Sequence, residues 1–571
     1  MPVVTFNKDY LFGLLPKGTD AESIKETSYK MGFEVGRITD KEISIEITPN
    51  RPDLYSAIGF ARAYKNFEHK SKRLKYELKD ANPEFSITVG KEAAAVRPFI
   101  AGIVAHGVSL SGGALPDLIN FSEKLSETYG RSRRKIAIGM HDLSKMEPPL
   151  HYNAYEDEKY IPLNEKKEML FSEVLKRTEK GLKYGHILNS GGRYPALKDH
   201  GGVISLIPIL NSERTKVTAK TKNIFVDITG TYREPVEKTA DLMASIFDDM
   251  GASVRPVSVA YHSGDRTTPS LEKRYLSIPL SMAESEIGIS VGFNNIISLA
   301  NKAGYEAALL GNDVRFRVPE YRMDVINEQD IVEDIAIAYG YDFINPLPIA
   351  SSQVGSLLPM ESDFEILSEA MLGMGFSEAV NTYLTNESLN FTAMRINDIR
   401  GYLESEKKDC ITLKNSKSDS LTMMRTWLLP SLLRNLGSSA HDSMPQRLFE
   451  LDMAFAERKK RICEEYHLAA VSAGPKTNLN EAKAVLEEIS YLTGMQFKAK
   501  ESEHESFIKG RCAEIILHGA QIGIFGELHP AVLHNFGIEE PTCVFEINLD
   551  LMYARDSSGF SNTGKEKSSR R

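Results

Sequence analysis

Apolar residues in this chain come in short bursts. No stretch approaches the ~18 consecutive uncharged apolar residues that a membrane-spanning helix needs. Each burst suits one strand or one helix face. Spread over 571 residues, that pattern predicts several separate cores, because a domain typically holds about 100–200 residues. Hydrophobic content of 42% beside 26% charged residues places the chain among globular proteins. The start, Met1-Pro2-Val3-Val4-Thr5-Phe6-Asn7-Lys8-Asp9, carries neither the basic n-region nor the apolar h-region of a signal peptide. A cytoplasmic location without membrane contact is therefore expected.

The net charge of −9 argues against a surface devoted to gripping nucleic acid. Any RNA contact is expected to be local or shared with a partner. The densest basic patch is Arg131, Arg133, Arg134 and Lys135, before Ile136-Ala137-Ile138. A solvated loop is the plainer reading there, and direct phosphate contact is the other. Cys410, Cys463, Cys512 and Cys543 are far apart and form no CxxC pair. They imply neither a zinc site nor a disulfide framework and read as small buried residues.

Periodicity predicts a multidomain α+β protein in four units. In residues 1–85, an N-terminal α/β module, a strand at 3–6 precedes a helix at 21–31 closed by Gly32. Ile43, Ile45 and Ile47 alternate with Ser44 and Glu46 as in a half-buried strand. In Thr48-Pro49-Asn50-Arg51-Pro52-Asp53-Leu54 the two prolines preset a rigid turn, and Asp53 is placed to cap a helix over 54–67. The polar stretch 68–80 reads as a boundary. Residues 86–268 mix strands (99–108, 135–140, 203–207, 224–228) with helices (115–129, 237–250) in an α+β domain. Residues 273–348 place helices at 293–302, near Ala307 and at 327–339 around a strand at 314–319, a compact winged-helix-like module. Residues 356–555 hold a helix at 364–374 ended by Gly375, strands at 411–413, 421–424 and 447–455, and Leu429, Leu432, Leu433, Leu436 and Ala440 at helical spacing. An antiparallel sheet with helices is expected. The tail 556–571, rich in Ser, Lys and Arg, is expected to be disordered.

Four sets of residues invite chemistry. Asp330, Glu333 and Asp334 stand at i, i+3 and i+4 of a helix starting at Asn327, and Asp324 ends the segment before it. Converging carboxylates suit a hard cation such as Mg²⁺. Acids in a first helical turn also serve the helix dipole, and Asn327 with Asp330 resembles a capping box, so spacing leaves both readings open. Asp227-Ile228-Thr229-Gly230 reads, on residues alone, as a strand end and a turn. Gly191-Gly192 and Gly201-Gly202 lack a following Lys-Ser/Thr and are turns rather than phosphate loops. His141, with Asp142 adjacent, and His106 are catalytic candidates in principle, but no GxSxG elbow accompanies them and the plainer reading is surface or packed residues.

Taken in order, several segments resemble the phenylalanyl-tRNA synthetase beta family, in its shorter archaeal/eukaryotic form. They are Ile47 to Leu54 with Gly59 and Ala61-Arg62, then Pro319 to Tyr341, then Asn415 to Glu450, and finally Gly526-Glu527-Leu528-His529-Pro530. Each motif is weak alone, but the ordered set spans nearly the whole chain. The resemblance implies an alpha2beta2 assembly in which an alpha subunit holds ATP, phenylalanine and the end of tRNA(Phe). It implies an editing domain here, similar to B3/B4, that hydrolyses Tyr-tRNA(Phe) in a pocket lined by Leu197, Ser205, Asn211, Asp227 and Thr229. A B5-like domain would bind Mg²⁺ through Asp324, Asp330, Glu333 and Asp334. The last domain resembles a class II synthetase core, whose chemistry needs arginines on the ATP phosphates. The segment Ile522 to Pro530 contains none, so that domain is expected to be catalytically silent. Two competing readings are a stand-alone tRNA-editing hydrolase, for which the chain is long, and a nucleic-acid-binding regulator, for which the helix from Asn327 is too acidic.

Overall fold

The computed structural model describes residues 2–69, 76, 78, 82–188, 191–349, 354–405, 409–439 and 441–553. Most of the expected boundary at 68–80 and all of the tail 556–571 lie outside the described residues. The chain divides into two compact units, residues 1–349 and 350–571. No helix among the described residues is long and apolar enough to cross a membrane.

The first unit opens with a three-stranded sheet in which Glu42–Glu46 lies between Val3–Asn7 and Glu34–Ile38. Ile43, Ile45 and Ile47 are all fully buried, as their alternation predicts. Asp20 caps the helix Ala21–Lys30 by accepting from the Ser23 N–H. The expected cap at Asp53 is not formed. Pro52–Leu54 makes a separate 3-10 turn, and Ser56 caps Ala57–Phe67 by accepting from the Gly59 N–H. Asp53, buried, instead accepts from Arg51 at 2.9 Å and lies 3.7 Å from Arg62. The turn approaches the helix so closely that a Cβ at Gly59 would stand 1.8 Å from the Asp53 carbonyl oxygen.

A ten-stranded sheet follows. Its order begins Leu210–Asn211, Gly202–Leu206, Tyr194–Asp199 and Leu150–Tyr155. It continues through Ser86–Val89, Ser253–Tyr261 and Phe99–His106 to Asn223–Gly230 and Ile136–Asp142, and Gly264–Thr268 pairs onto Ser253–Tyr261. The helices Ala114–Glu127 and Arg233–Asp249 bury Leu118, Phe121 and Leu125, and Val236, Ala240, Met243 and Phe247. This apolar cluster continues into the N-terminal module through Phe6, Phe60 and Tyr64.

Beyond the large sheet, Arg274–Pro279, Asp313–Val318 and Glu306–Leu310 form a three-stranded sheet with Asp313–Val318 in the middle. The helices Leu280–Ile287, Phe293–Ala303 and Glu328–Tyr339 pack with it. Where the sequence places a short helix near Ala307, the chain forms the strand Glu306–Leu310. Its Ala-Ala-Leu-Leu composition favours helix, but antiparallel pairing with Asp313–Val318 across Gly311-Asn312 overrides that preference.

The second unit is a seven-stranded sheet: Ser377–Glu378, Gln446–Arg458, Arg461–Ala473, Thr542–Asn548, Ala520–Leu528, Phe507–Leu517 and Lys498–Glu501. Its pairings are antiparallel except at Ser377–Glu378. Alternation along Arg461–Ala473 sends Leu468 and Ala470 into one core, shared with Phe364, Leu367 and Leu486. Ala469 and Val471 enter the other, shared with Leu432, Leu433 and Val532. The strands expected at 411–413 and 421–424 shrink to Met423–Met424 pairing with Leu384–Thr385, plus a bridge from Thr412 to Met423. Cys512 and Cys543 are buried, Cys410 and Cys463 half-buried, and none of the four is in a disulfide.

Candidate functional site

Register alone puts a row of polar side chains on one face of the large sheet. Asn223–Gly230 pairs with Ile136–Asp142 so that Phe225 faces His141, Asp227 faces Gly139 and Thr229 faces Ala137. Period-two alternation keeps all six positions on the same face. Gly139 leaves room for the acid: a Cβ there would stand 2.3 Å from Asp227 Oδ1. His141 is fully buried. Its Nε2 lies 2.8 Å from Asp227 Oδ1 and its Nδ1 2.8 Å from Thr215 Oγ1.

The opposite wall comes from the far end of the strand order. Ser205 faces Asn211 across two paired strands, and its hydroxyl donates to Asn211 Oδ1 at 3.0 Å. Asn211 Nδ2 then donates to the Met140 carbonyl at 3.3 Å. Met140 lies on the last strand of the order and Asn211 on the first, so the sheet curls until its two edges meet. Between them lies a cavity of about 290 Å³. Ser205, Asn211, Asp227 and Thr229 line it, with Ile207, Pro208 and Ile209 as an apolar wall. Leu197 does not reach the cavity. It is fully buried in the apolar cluster that also holds Tyr152, Ile204 and Phe225.

Two buried arginines hold the walls. Arg97 Nε donates to Thr229 Oγ1 at 3.0 Å, and its other nitrogens bind the carbonyls of Thr229 (2.6 Å), Arg133 (3.0 Å) and Arg134 (3.2 Å). Burial pushes its guanidinium down to about 10. Arg133 departs from the solvated-loop reading of the basic patch. Its guanidinium donates to the carbonyls of Pro208 (3.0 Å) and Ile209 (2.8 Å) and pairs with Glu123 at 2.7 Å. Lys180 also meets Glu123, at 2.9 Å. Burial works to raise the Glu123 carboxyl, but Arg133 and Lys180 outweigh it and hold it below its usual value. Arg133 is turned inward by three consecutive left-handed residues, Arg131, Ser132 and Arg133, with φ of 50°, 53° and 68°. Each costs roughly 1–2 kcal/mol for an L-residue. Their N–H groups offset part of this by meeting the carbonyls of Thr128, Glu127 and Ser126 at the end of the preceding helix.

The acidic cluster is arranged differently from a bare ligand set. Asp324, Asp330, Glu333 and Asp334 do line one cavity, together with Arg51 and Arg322. Arg322, buried, binds Asp324 (2.8 Å) and Asp334 (2.6 Å), and Tyr305 donates to Asp334. Asp330 completes a capping box with Asn327 and accepts from the N–H groups of Ile326 and Asn327 at 2.5 and 2.9 Å. Glu333 is exposed. Among the described residues no group of three or more His, Cys, Asp or Glu side chains is disposed to hold a metal ion. Arg322 engages two of the four carboxylates and the helix N-terminus a third, so the residues as arranged present no open ligand set that fits Mg²⁺.

On the sheet of the second unit, charges close on one another. Arg425 Nη1 binds Glu450 Oε1 at 2.6 Å, each side chain 1% exposed, and Arg425 Nε donates to the Met453 carbonyl at 2.8 Å. Glu546 accepts from His467 Nδ1 at 2.6 Å and from the N–H groups of Leu428 and Leu429 at 3.0 and 3.1 Å. Around Gly526, Arg511 pairs with Glu527.

Three family models match the chain: the B3/4 domain over residues 117–249, the tRNA synthetase B5 domain over 276–341, and the phenylalanyl tRNA synthetase beta chain CLM domain over 345–549. Every lining residue of the 290 Å³ cavity falls within the first match. The phenylalanine–tRNA ligase beta subunit of Archaeoglobus fulgidus is 34% identical over 97% of this chain and 99% of its own length. That of Methanocaldococcus jannaschii is 33% identical over 96% and 100%. A crystal structure of an N-terminal fragment of the Pyrococcus horikoshii beta subunit superposes with a TM-score of 0.57 at 32% identity, covering 60% of this chain and all of the fragment. Near-complete coverage in both directions leaves the stand-alone hydrolase unsupported, and the chain belongs to the phenylalanine–tRNA ligase beta subunit family.

Proposed function

We propose that this ligase subunit works in an alpha2beta2 assembly in which alpha holds ATP, phenylalanine and the end of tRNA(Phe). On this reading the 290 Å³ cavity hydrolyses Tyr-tRNA(Phe). The observation that carries it is a buried carboxylate, Asp227, on the wall of a small polar cavity with Thr229, Ser205 and Asn211 around it. Phenylalanine and tyrosine differ by one hydroxyl, and an apolar synthetic pocket rejects an added hydroxyl by only about a hundredfold. A second site that rewards the hydroxyl adds the missing accuracy. Asp227 accepts the phenolic hydrogen bond, and Thr229 or Asn211 orients the ester or the water. The water oxygen bonds to the tyrosyl carbonyl carbon, the ester bond to the ribose oxygen breaks, and that oxygen takes up a proton.

The second unit serves as a packing surface for alpha. Its arginine-free 522–530 segment and its internally paired charges support that reading. The test is deacylation of preformed Tyr-tRNA(Phe) by the complex, with Phe-tRNA(Phe) as control. Asp227→Ala is expected to let Tyr-tRNA(Phe) accumulate while phenylalanine charging stays nearly intact. Equal deacylation by wild type, Asp227→Ala and Thr229→Ala would place the chemistry elsewhere.

A further inference from the structure

His141 is a buried polar group beside the cavity that the proposed hydrolysis does not use. It stands diagonally from Asp227 on the neighbouring strand, with the Phe225 ring 6.0 Å away centroid to centroid. Its two nitrogens have fixed partners, Thr215 Oγ1 and Asp227 Oδ1. Two proton arrangements satisfy both. A neutral ring donates from Nε2 to the carboxylate and accepts the threonine O–H at Nδ1, or an imidazolium donates to both. The remaining tautomer would aim a lone pair at a carboxylate. In each satisfied arrangement Nε2 donates to Oδ1, so that oxygen is occupied. Oδ2 has no hydrogen-bond partner among the described residues, and Asp227 lines the cavity.

A terminal carboxylate torsion is broad and roughly two-fold, so an aspartate tethered at neither oxygen rotates freely. We propose that His141 is a positioning residue that fixes Asp227 Oδ1 and so presents Oδ2 to an aryl hydroxyl in the cavity, setting the preference for tyrosyl over phenylalanyl esters. Thr215 acts through it by holding Nδ1. This rests on reading the cavity as the hydrolytic site.

The test compares deacylation of Tyr-tRNA(Phe) and Phe-tRNA(Phe) by the intact complex carrying His141→Leu, His141→Gln or Asp227→Asn, with phenylalanine charging and the unfolding midpoint measured alongside. His141→Leu is expected to lower kcat/KM for the tyrosyl ester about tenfold to a hundredfold, the range of one charge-assisted hydrogen bond. The loss should fall mainly on KM and narrow the ratio between the two esters. His141→Gln, whose amide N–H₂ reaches where Nε2 stands, should restore the ratio to within severalfold. A folded His141→Leu complex with the wild-type ratio overturns the proposal, as does a Gln variant no better than Leu. If His141→Leu does not fold, Thr215→Val decides: a ratio narrowed severalfold supports the proposal and an unchanged ratio overturns it. An unchanged ratio in Asp227→Asn would instead remove the cavity reading beneath it.

Discussion

Both units bury charge on a sheet, and they do so to opposite effect. On the sheet of the second unit Arg425 meets Glu450, and Glu546 meets His467 and two backbone N–H groups. On the 223–230 strand Asp227 is held at one oxygen and faces a cavity. The second unit also has the larger hollow, about 580 Å³, lined in large part by residues such as Ala370, Met374, Val485 and Phe545. Neither buried charge nor cavity size marks a site by itself. What distinguishes the Asp227 cavity is where the unmet hydrogen-bonding capacity lies: the unpartnered nitrogens of Arg425 and His467 line neither cavity, whereas Asp227 lines its own.

That contrast breaks most readily at the paired charges. Arg425→Ala leaves Glu450 buried and alone, and is expected to destabilise the second unit by about 3–5 kcal/mol, read by denaturant unfolding of the full chain. A loss under about 1 kcal/mol would mean that water reaches Glu450. Arg322→Ala is expected to cost a similar amount, about 3–5 kcal/mol, because it uncovers Asp324 and Asp334. Recovery of part of that loss in millimolar Mg²⁺ would show that the four carboxylates can take a cation once the arginine is gone. No recovery would confine them to ion pairing and helix capping.

Pyrophosphate exchange with phenylalanine and ATP should stay at background in alpha-free protein, since the second unit's charges face one another. Exchange above background would dissolve the contrast between the units.

The smallest expected effect is on pH dependence. Burial lowers His467, but Glu465 and Glu546 outweigh it and raise it above 6.5. Burial raises Glu465, but His467 and Arg458 outweigh it and bring it to about 2 from 4.5. The raised histidine stabilises fully below 6.5, and its contribution fades as pH climbs through its folded value. The depressed carboxyl stabilises fully above 4.5 and fades as pH falls toward 2. Amide exchange along Arg461–Ala473 should therefore be slowest, once corrected for intrinsic rates, between those limits. His467→Gln should flatten the alkaline side and also weaken the acid side, where Arg458 would be left to hold Glu465 down.

Much of the fold was legible because local pattern and tertiary outcome agree. Ile43, Ile45 and Ile47 alternate and are buried, and Asn327 caps the helix it precedes. The site was legible only as a set of strand ends. Ser205, Asn211, Asp227 and Thr229 share a cavity, while Leu197 lies in the core because a buried polar pocket needs apolar support behind it. His141 went unrecognised because its link to Asp227 spans 86 positions and exists only through register. Arg97 and Arg133 were hidden for a similar reason: their partners are largely backbone carbonyls, which carry no residue identity. Asp324 and Asp334 read as ligands because charge spacing along a helix says nothing of an arginine arriving from the preceding loop.

The hydrogen bond from Asn211 to the Met140 carbonyl joins the two outermost strands of the large sheet. Its partners are 71 positions apart, and the strands between them must all be in register before it can form. Some of the inner pairings span still more of the chain, Ser86 with Ser258 among them, so loop-closure entropy must be overcome several times before the edges can meet. The cavity is therefore a late product of folding, and a chain that has its helices and inner strands in place can still lack it. Refolding should restore far-ultraviolet dichroism before it restores Tyr-tRNA(Phe) deacylation, and a fragment ending before Asn223 should never acquire that activity.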